Sequence, residues 1–233
     1  MGVWSRGPGA PFATLALLVA VFVPAPAVAV DLKEVPSLEA DVEAGKLPPI
    51  AERAPKEPLV VTFAGDGMAP GMSGGRIETL LGRAKDIRML VVYGYTRLVG
   101  YDGGLNIVPD ILKSIDVEEG RIFTLHLRRG HKWSDGHPFT AEDFRYYFED
   151  MAQDPVISED GPPDELLVDG KLPKFELIDE TTVRYTWEKP YPTLLMQLAG
   201  AQPLYLYRPA HYLKQFHAKH ADAAKLDELV KAQ

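Results

Sequence analysis

One glycine-rich loop has the spacing of a serine nucleophile. Gly71-Met72-Ser73-Gly74-Gly75 matches the G-x-S-x-G pattern of a nucleophile elbow, with the apolar run Leu59–Ala64 before it and a predicted helix, Arg76–Ala84, after it. In an elbow the serine lies on a tight turn between strand and helix, but several loop residues, including Pro70, separate the run from Ser73. No HGGG-type oxyanion motif precedes the loop, and no lysine follows the glycines as a phosphate-binding P-loop requires. A serine hydrolase that uses Ser73 therefore remains only an alternative.

Histidines and adjacent acids are the other side chains whose types could support chemistry. His217 and His220 are one helical turn apart and could share a metal ion, but we expect them on a solvated helix face together with His211. Glu142 and Asp143 are neighbours on a predicted helix and point about 100° apart, so they cannot flank one glycosidic bond. We predict no catalytic residue, no metal site and no cofactor.

Composition limits the class of protein. The chain has 233 residues, of which 46% are apolar and 25% charged, as in ordinary globular proteins. Its 25 basic and 33 acidic residues give a net charge of -8, and no lysine- or arginine-rich run stands out, so we do not expect nucleic acid as a partner. The absence of cysteine excludes disulfides, thiolate metal sites, cysteine nucleophiles and a lipid anchor on cysteine.

The first 29 residues have the pattern of a signal peptide. Arg6 is the only charge before Asp31, and the apolar run Phe12–Val23 is too short to span a bilayer. Ala27-Val28-Ala29 then fits the A-x-A pattern that signal peptidase cleaves. We predict cleavage after Ala29 and a soluble periplasmic chain without an integral membrane segment.

Residues 30–58 are rich in proline, which forbids a long helix or a central strand. A short helix over Ser37–Gly45, with Ser37 as its cap, is compatible with the spacing of the prolines. We predict an extended arm. Two alternatives stay open: the arm lies over the domain that follows, or it is a disordered tether.

Hydrophobic patterning predicts the elements of the remaining chain. Alternation and β-branched runs indicate strands, and the 3.6-residue period indicates helices. The predicted strands are Leu59–Ala64, two segments on either side of Glu118-Glu119-Gly120, the second of them Arg121–Arg129, and Thr182–Trp187. The predicted helices are Arg76–Ala84, Ile87–Tyr95, a short one over Asp110–Leu112, one starting at Thr140, Thr193–Leu198 and a final one after Pro209.

The segment between the strand at 121–129 and the helix at Thr140 carries several structural signals. Asp135-Gly136 supplies a turn. Thr140 is an N-cap residue and Asp143, three residues later, can complete a capping box. Trp133 can cover the turn with its indole. We therefore expect Trp133, Asp135, Gly136, Thr140 and Asp143 to serve the fold rather than a ligand.

The same segment carries a family resemblance. Leu127–Phe144, which contains the run KWSDGHPFTAEDF, resembles the signature of the family 5 extracellular solute-binding proteins of ABC transporters, among them oligopeptide-, dipeptide- and nickel-binding proteins. The similarity extends to Leu98–Asp102, Val108–Leu112, Asp179–Tyr185 and Glu188–Pro192, and more loosely to the arm at Leu38–Arg53. One departure is Thr96-Arg97, where the family usually has an acidic residue and a glycine.

The resemblance implies a mixed α/β fold of the periplasmic binding protein type II kind, with two lobes hinged around a buried ligand. Family members are more than twice as long, so we expect an N-terminal part without the second lobe. The predicted divisions are a signal peptide at 1–29, an arm at 30–58, the start of lobe I with its first strand and glycine-rich loop at 59–86, a small α+β subdomain at 87–187, and a return into lobe I at 188–233.

By resemblance, the protein is the periplasmic substrate-binding component of an ABC importer and not an enzyme. It would capture a peptide or another small solute between its lobes, deliver it to the membrane permease, and act as a monomer. The residues that follow the first predicted strand are the natural wall of the ligand-binding cleft. There Gly65 and Gly67 permit close approach, Asp66 can meet a ligand amine and Met68 offers an adaptable apolar surface. A plain surface loop in which Asp66 caps its own turn is the equal alternative.

Overall fold

The computed structural model of this protein describes residues 31–61, 69–72, 74–76, 78–90, 96–200 and 204–231. The chain divides into two compact units, Met1–Leu32 and Lys33–Gln233. The elements below belong to the second unit. The predicted signal peptide lies outside the described residues, and the predicted divisions after residues 58, 86 and 187 stay predictions.

Two short helices form the arm. A 3-10 turn, Pro36–Leu38, leads into α1 (Glu39–Glu43), and α2 (Ile50–Arg53) follows Pro49. The short helix expected in this region is present. Ser37 lies inside the 3-10 turn and not at a cap, however, and no side chain caps α1. The prediction of Ser37 as the cap is therefore wrong, because the chain begins to turn one residue earlier, at Pro36.

The strands in the described part of the chain form two antiparallel sheets. They are β1 (Val99–Tyr101), β2 (Ile107–Pro109), β3 (Leu112–Glu118), β4 (Ile122–Leu127), β5 (Lys174–Asp179) and β6 (Thr182–Thr186). Strands β1 and β2 form a two-stranded sheet, and the other four form a sheet with the order β3-β4-β6-β5. The strands predicted around Glu118-Glu119-Gly120 and after Thr182 are confirmed.

The core lies on one face of the four-stranded sheet. Alternate residues of β4, Phe123, Leu125 and Leu127, are almost fully buried, and Phe123 and Leu125 pair with buried residues of β6. Trp187, just after β6, is 1% exposed and meets Phe123 edge to face, with ring centroids 5.7 Å apart. The apolar residues of β4 thus follow the two-residue period of the sequence, and Thr124 is a buried polar residue on the other face.

One helical segment covers this sheet. Helix α3 (Ala141–Arg145) continues as a π-helix, Tyr146–Met151, and contacts β5 and β6. Phe148 packs on Phe175 of β5 with ring centroids 5.2 Å apart. A sheet covered by helices on one face gives the mixed α/β class that the sequence predicts, so this prediction is confirmed.

Short helices make up the remainder of the described chain. Helix α4 (Leu194–Ala199), the predicted helix near Thr193, ends at Gly200 and contacts β1 and β2. The segment after Pro209 is interrupted, since its first helix gives way to a 3-10 turn that ends at Phe216. The elements are a 3-10 turn at Asp164–Leu166, α4 (Leu194–Ala199), α5 (Ala210–Leu213), a 3-10 turn at Lys214–Phe216 and α6 (Ala223–Lys231).

The arm packs against the turn that follows β4. The Glu57 amide donates to the Arg129 carbonyl at 3.1 Å. Gly130 has a φ of +84°, and a Cβ built there would stand 2.5 Å from the Lys56 nitrogen. The arm therefore lies over the domain that follows it, and the alternative of a disordered tether is wrong.

Two predicted elements before residue 91 are wrong. Leu59, Val60 and Val61 form no strand and are 44%, 58% and 65% exposed, because no strand in the described part of the chain lies beside them. Residues 78–83 are not helical, and a 3-10 helix, Ala84–Leu90, begins only after them. The rest of Leu59–Ala64, and the end of the helix predicted over Ile87–Tyr95, lie outside the described residues.

The short helix predicted over Asp110–Leu112 is also wrong. The Ile111 amide donates to the Arg97 carbonyl at 2.9 Å, and the Ile111 carbonyl accepts from the Arg128 amide at 3.3 Å. These backbone groups thus pair with distant segments and not within a helix. Pro109 ends β2, and Leu112 begins β3.

Candidate functional site

Asp143 is a buried carboxylate that joins three segments. It is 3% exposed, and its Oδ2 accepts from the Thr140 amide at 2.9 Å and from the Trp133 indole nitrogen at 3.2 Å. Its Oδ1 accepts from the Ala210 amide at 3.0 Å. Because Thr140 accepts in turn from the helix backbone, the expected capping box is complete. All these donors belong to the protein, so Asp143 needs no ligand to satisfy it.

Hydrogen bonds to the Asp135 carboxylate also hold the turn that contains it. Asp135 Oδ1 accepts from the His137 amide at 3.0 Å, and Gly136 adopts a φ of +88°. Asp135 Oδ2 lies 2.6 Å from His211 Nε2, and this hydrogen bond lowers the pKa of the carboxyl. The His211 ring stacks on that of His137 with centroids 3.8 Å apart. The turn is thereby tied to α5, 76 residues away in the chain.

An aromatic cluster connects the signature residues to the segment before α5. Trp133 is half-buried, and its ring centroid lies 5.4 Å from Phe139 and 6.1 Å from Tyr207. A cavity of about 230 Å³ opens beside this cluster, with Trp133, Tyr205 and Tyr207 among its walls. The signature tryptophan therefore both supports Asp143 and faces a small cavity. The two tyrosines were not among the predicted site residues, although their alternation between Leu204 and Arg208 indicates an extended segment with one aromatic face.

His131 also lines this cavity. Burial lowers the pKa of its imidazole, and the nearby Arg128 guanidinium adds to the effect. Its Nε2 is buried and has no hydrogen-bond partner. Burial and the Arg128 charge thus both favour the neutral form of the ring.

The predicted cleft residues Gly65, Asp66, Gly67 and Met68, and the alternative nucleophile Ser73, lie outside the described residues. Their roles stay predictions. The five signature residues, by contrast, all fall within one connected cluster, Trp133, Asp135, Gly136, Thr140 and Asp143.

Of the two histidines after α5, His217 does not lie on a solvated face as expected, whereas His220 is exposed as expected. His217 is 4% exposed, and its Nε2 lies 2.9 Å from the Asp150 carbonyl oxygen. His220 Nε2 lies 3.0 Å from Asp150 Oδ2. The correction follows from the break in the helix at Phe216, which turns His217 inward onto the π-helix. Among the described residues, no group of three or more acidic or histidine side chains is arranged to hold a metal ion.

Asp150 carries a dense set of ion pairs. Its side chain is 1% exposed and contacts Arg145 at 3.0 Å, Lys219 at 2.5 Å and His220 at 3.0 Å. Burial raises the pKa of Asp150, but the hydrogen bonds from Lys219, His220 and Arg145 outweigh it and hold the pKa at about 2. The carboxylate thus fastens the segment after α5 to the helix that covers the sheet.

Comparison with known sequences decides the family. The sequence model of "Bacterial extracellular solute-binding proteins, family 5 Middle" matches residues 106–230, more than half of the 233-residue chain. The chain belongs to the family 5 bacterial extracellular solute-binding proteins. The resemblance drawn from Leu127–Phe144 is thereby confirmed.

Two curated periplasmic binding proteins are similar to this chain over different lengths. The periplasmic alpha-galactoside-binding protein of Rhizobium meliloti is 34% identical over 211 residues, which is 77% of this chain and 28% of the relative. The periplasmic oligopeptide-binding protein OppA of Escherichia coli is 34% identical over 98 residues, 36% of this chain and 18% of the relative.

Two solved structures of binding proteins share the fold of this chain. An oligopeptide-binding protein OppA superimposes with a TM-score of 0.70 at 33% identity and covers 85% of this chain and 30% of its own. The periplasmic binding protein MelB of Agrobacterium fabrum, in complex with stachyose, superimposes with a TM-score of 0.57 at 27% identity over 83% of this chain and 32% of its own. The described elements thus form part of a periplasmic binding protein fold. The chain spans less than a third of the length of these relatives.

Within the described ranges between residues 31 and 231, every helix is too short or too polar to span a bilayer.

Proposed function

We propose that this chain belongs to the periplasmic solute-binding component of an ABC importer and acts by capture without turnover. The observation that carries the proposal is the family 5 match over residues 106–230. A binding component works by changing shape: an open pair of lobes closes around the solute, and the permease recognises the closed form. Such a cycle requires no nucleophile, so Ser73 has no catalytic part in it.

Export to the periplasm belongs to the same proposal. The curated relatives from Rhizobium meliloti and Escherichia coli are named as periplasmic proteins. The signal-peptide pattern before Val30 provides the route across the inner membrane. Permease subunits of the importer are the proposed protein partner, and the binding component is proposed to meet them as a monomer.

Peptides are the first candidate solute. The likeness to an oligopeptide-binding protein over 85% of this chain supports this class. An extended peptide is held mainly through its main-chain groups, which tolerates varied side chains. Gly65, Asp66, Gly67 and Met68 remain the proposed contacts, since glycine lets the two backbones approach and Asp66 can receive the peptide amine.

Alpha-galactosides are the second candidate. The alignment with the alpha-galactoside-binding protein covers 77% of this chain, against 36% for the Escherichia coli peptide-binding protein. The MelB structure that shares the fold was solved with stachyose. These two observations favour a sugar as strongly as the OppA likeness favours a peptide.

Uptake by the organism that encodes the chain tests the proposal. The gene is deleted, and uptake of radiolabelled trialanine and of radiolabelled raffinose is measured in the deleted and the complemented strains. We expect one of the two uptakes to fall and to return on complementation. Uptake of both solutes at the wild-type rate after deletion would contradict the proposed function.

A further inference from the structure

Residues 214–231 lie against the π-helix but bury almost no apolar surface, and we call this segment the strap. It comprises the 3-10 turn Lys214–Phe216, a loop and α6. The structure describes every residue of the strap, and the only buried one is His217. Phe216, Leu229 and Val230 are 41%, 39% and 69% exposed. Hydrophobic burial, which holds α3 to the sheet, therefore contributes little to the attachment of the strap.

Charge pairs attach the strap instead. Lys214 Nζ lies 2.7 Å from Glu142 Oε1, and Lys219 Nζ lies 2.5 Å from Asp150 Oδ1. His220 Nε2 lies 3.0 Å from Asp150 Oδ2, and this histidine is a cation only when it is protonated. In each of these pairs the strap provides the basic side chain, and α3 or the π-helix provides the carboxylate. The two surfaces are thus complementary in charge, and the lysines carry the permanent part of the attraction.

Few neutral contacts add to these pairs. In the described part of the chain, no backbone group of the strap is hydrogen-bonded to a backbone group of α3, the π-helix or the sheets. A hydrogen bond from His217 Nε2 to the Asp150 carbonyl oxygen, at 2.9 Å, joins the two sides. Helix α5, just before the strap, is fixed separately, since Ala210 is 3% exposed and its amide donates to Asp143 Oδ1 at 3.0 Å. Helix α5 therefore provides a fixed point about which the strap can move.

The strap covers Tyr146, the first residue of the π-helix. Tyr146 is 1% exposed, and the centroid of its ring lies 5.9 Å from the His217 ring and 5.8 Å from the His220 ring. Lys214 Nζ lies 5.9 Å from the same centroid. Movement of the strap would expose this ring and the Asp150 carboxylate to water. Turns of π-helix are rare and occur frequently at functional sites, so the covered surface is an unusual one.

Opening of the strap leaves neither carboxylate without a partner. Arg145 still binds both of them, at 2.7 Å from Glu142 and 3.0 Å from Asp150. The side chains of Lys214 and Lys219 are already 33% and 60% exposed, so they enter water at little cost. Ion pairs that are open to solvent are weak, and salt screens them. The free energy that holds the strap closed therefore depends on ionic strength.

We propose that residues 214–231 are a salt-responsive strap, which low ionic strength holds closed on the π-helix and high ionic strength opens about α5. The sheet and its core stay folded when the strap opens, because salt does not weaken the burial of their apolar side chains. The open form presents the Tyr146 ring beside the carboxylates of Glu142 and Asp150. This conformational change goes beyond solute capture and does not depend on which solute is bound.

Hydrogen exchange of the whole chain, measured by mass spectrometry at constant pH, tests the strap. The two conditions are about 0.01 M and about 1 M NaCl, between which the Debye length falls from about 30 Å to about 3 Å. We expect peptides from residues 214–231 to exchange about fivefold or more faster at high salt, the effect of losing one or two weak ion pairs. Peptides from β4 and β6 should be unchanged. Acetylation of Tyr146 by N-acetylimidazole should rise in parallel.

A lysine variant separates the strap from a general effect of salt. Lys219→Met removes one ion pair at an exposed position, so the strap should exchange faster already at low salt and respond less to added salt. Lys171→Met is the matched control, because this lysine is 62% exposed and pairs with Glu188 at 2.6 Å, outside the strap. Circular dichroism checks that both variants are folded, and we expect the control to exchange like the wild type.

Three results would each overturn the inference. The first is equal exchange of the strap at both salt concentrations. The second is an equal acceleration of β4 and β6, which would mean that salt loosens the whole fold. The third is equal exchange of the strap in Lys219→Met and Lys171→Met. None of these results bears on uptake after gene deletion, so the proposed function stands or falls separately.

Discussion

At the scale of single residues, the signature of this chain is a set of hydrogen bonds centred on Asp143. Thr140, Trp133 and Ala210 all direct donors at one buried carboxylate. Such a group is stable only while its donors stay in place, because a buried charge without partners is costly. The signature therefore has a structural explanation that is independent of any solute.

Thr140→Ala tests this explanation. The hydroxyl accepts from the Glu142 amide at 3.3 Å, and its loss should cost about 1 kcal/mol of unfolding free energy. For a chain of this length, such a loss of unfolding free energy lowers the Tm by about 2–4 °C. Thr193→Ala is the matched control, because Thr193 precedes α4 without a side-chain capping bond.

Thermal melting and solute affinity should be measured together for both variants. We expect the Tm to fall for Thr140→Ala only, with affinity unchanged in both. An unchanged Tm combined with a large loss of affinity would place the signature in the binding site and refute the structural explanation.

At the scale of elements, the contact between the arm and the turn after β4 depends on one glycine. Gly130→Ala would add a methyl group 2.5 Å from the Lys56 nitrogen, so the arm must move away. Gly136→Ala is the matched control: its φ of +88° is similar, but nothing lies within 4 Å of the added carbon. Both variants therefore share the backbone strain, and only one has the collision.

Hydrogen exchange of residues 34–57 by mass spectrometry measures the attachment of the arm. We predict faster exchange across this segment in Gly130→Ala than in Gly136→Ala, since release of the arm exposes the Glu57 amide that donates to Arg129. Equal exchange in the two variants would show that the arm is not held at Gly130.

At the scale of the whole molecule, stability in acid depends on Asp150. Its pKa is about 2 in the folded chain and near 3.8 when unpaired, so the folded state favours the ionised form. This stabilisation is fully present above pH 3.8 and is lost as the pH falls through 3.8 towards 2. A shift of this size corresponds to about 2 kcal/mol.

Urea unfolding between pH 6 and pH 2.5 checks this dependence. Asp150→Asn should be less stable than the wild type at pH 6, and the difference should shrink as the pH falls. Asp116→Asn is the control, because that carboxylate is 65% exposed. A difference that stays constant over the whole range would mean that Asp150 is not the titrating group.

Export is the second prediction for the whole molecule. The mature chain should begin at Val30, because the apolar run and Ala27-Val28-Ala29 fit signal peptidase, and no cysteine is present to be acylated. N-terminal sequencing of protein released by osmotic shock measures this directly. Recovery of the chain with Met1 intact in washed membranes would contradict it.

Features that depend on near neighbours in the chain can be predicted from the order of the residues alone. Alternation around Glu118-Glu119-Gly120 predicted β3 and β4, and the four residues from Thr140 predicted a capping box, because both signals act over a few residues. The family also followed from one continuous run, Leu127–Phe144. Each of these conclusions rests on a short, continuous stretch of sequence.

Features that join distant segments become visible only in the folded chain. An apolar run such as Leu59–Ala64 predicts a buried strand wherever it occurs, but burial requires neighbouring strands, and Leu59 to Val61 have none in the described part of the chain. Asp150 and His217 meet across 67 residues, and Asp135 and His211 meet across 76. Sequence spacing cannot encode such contacts, because they depend on how the whole chain packs.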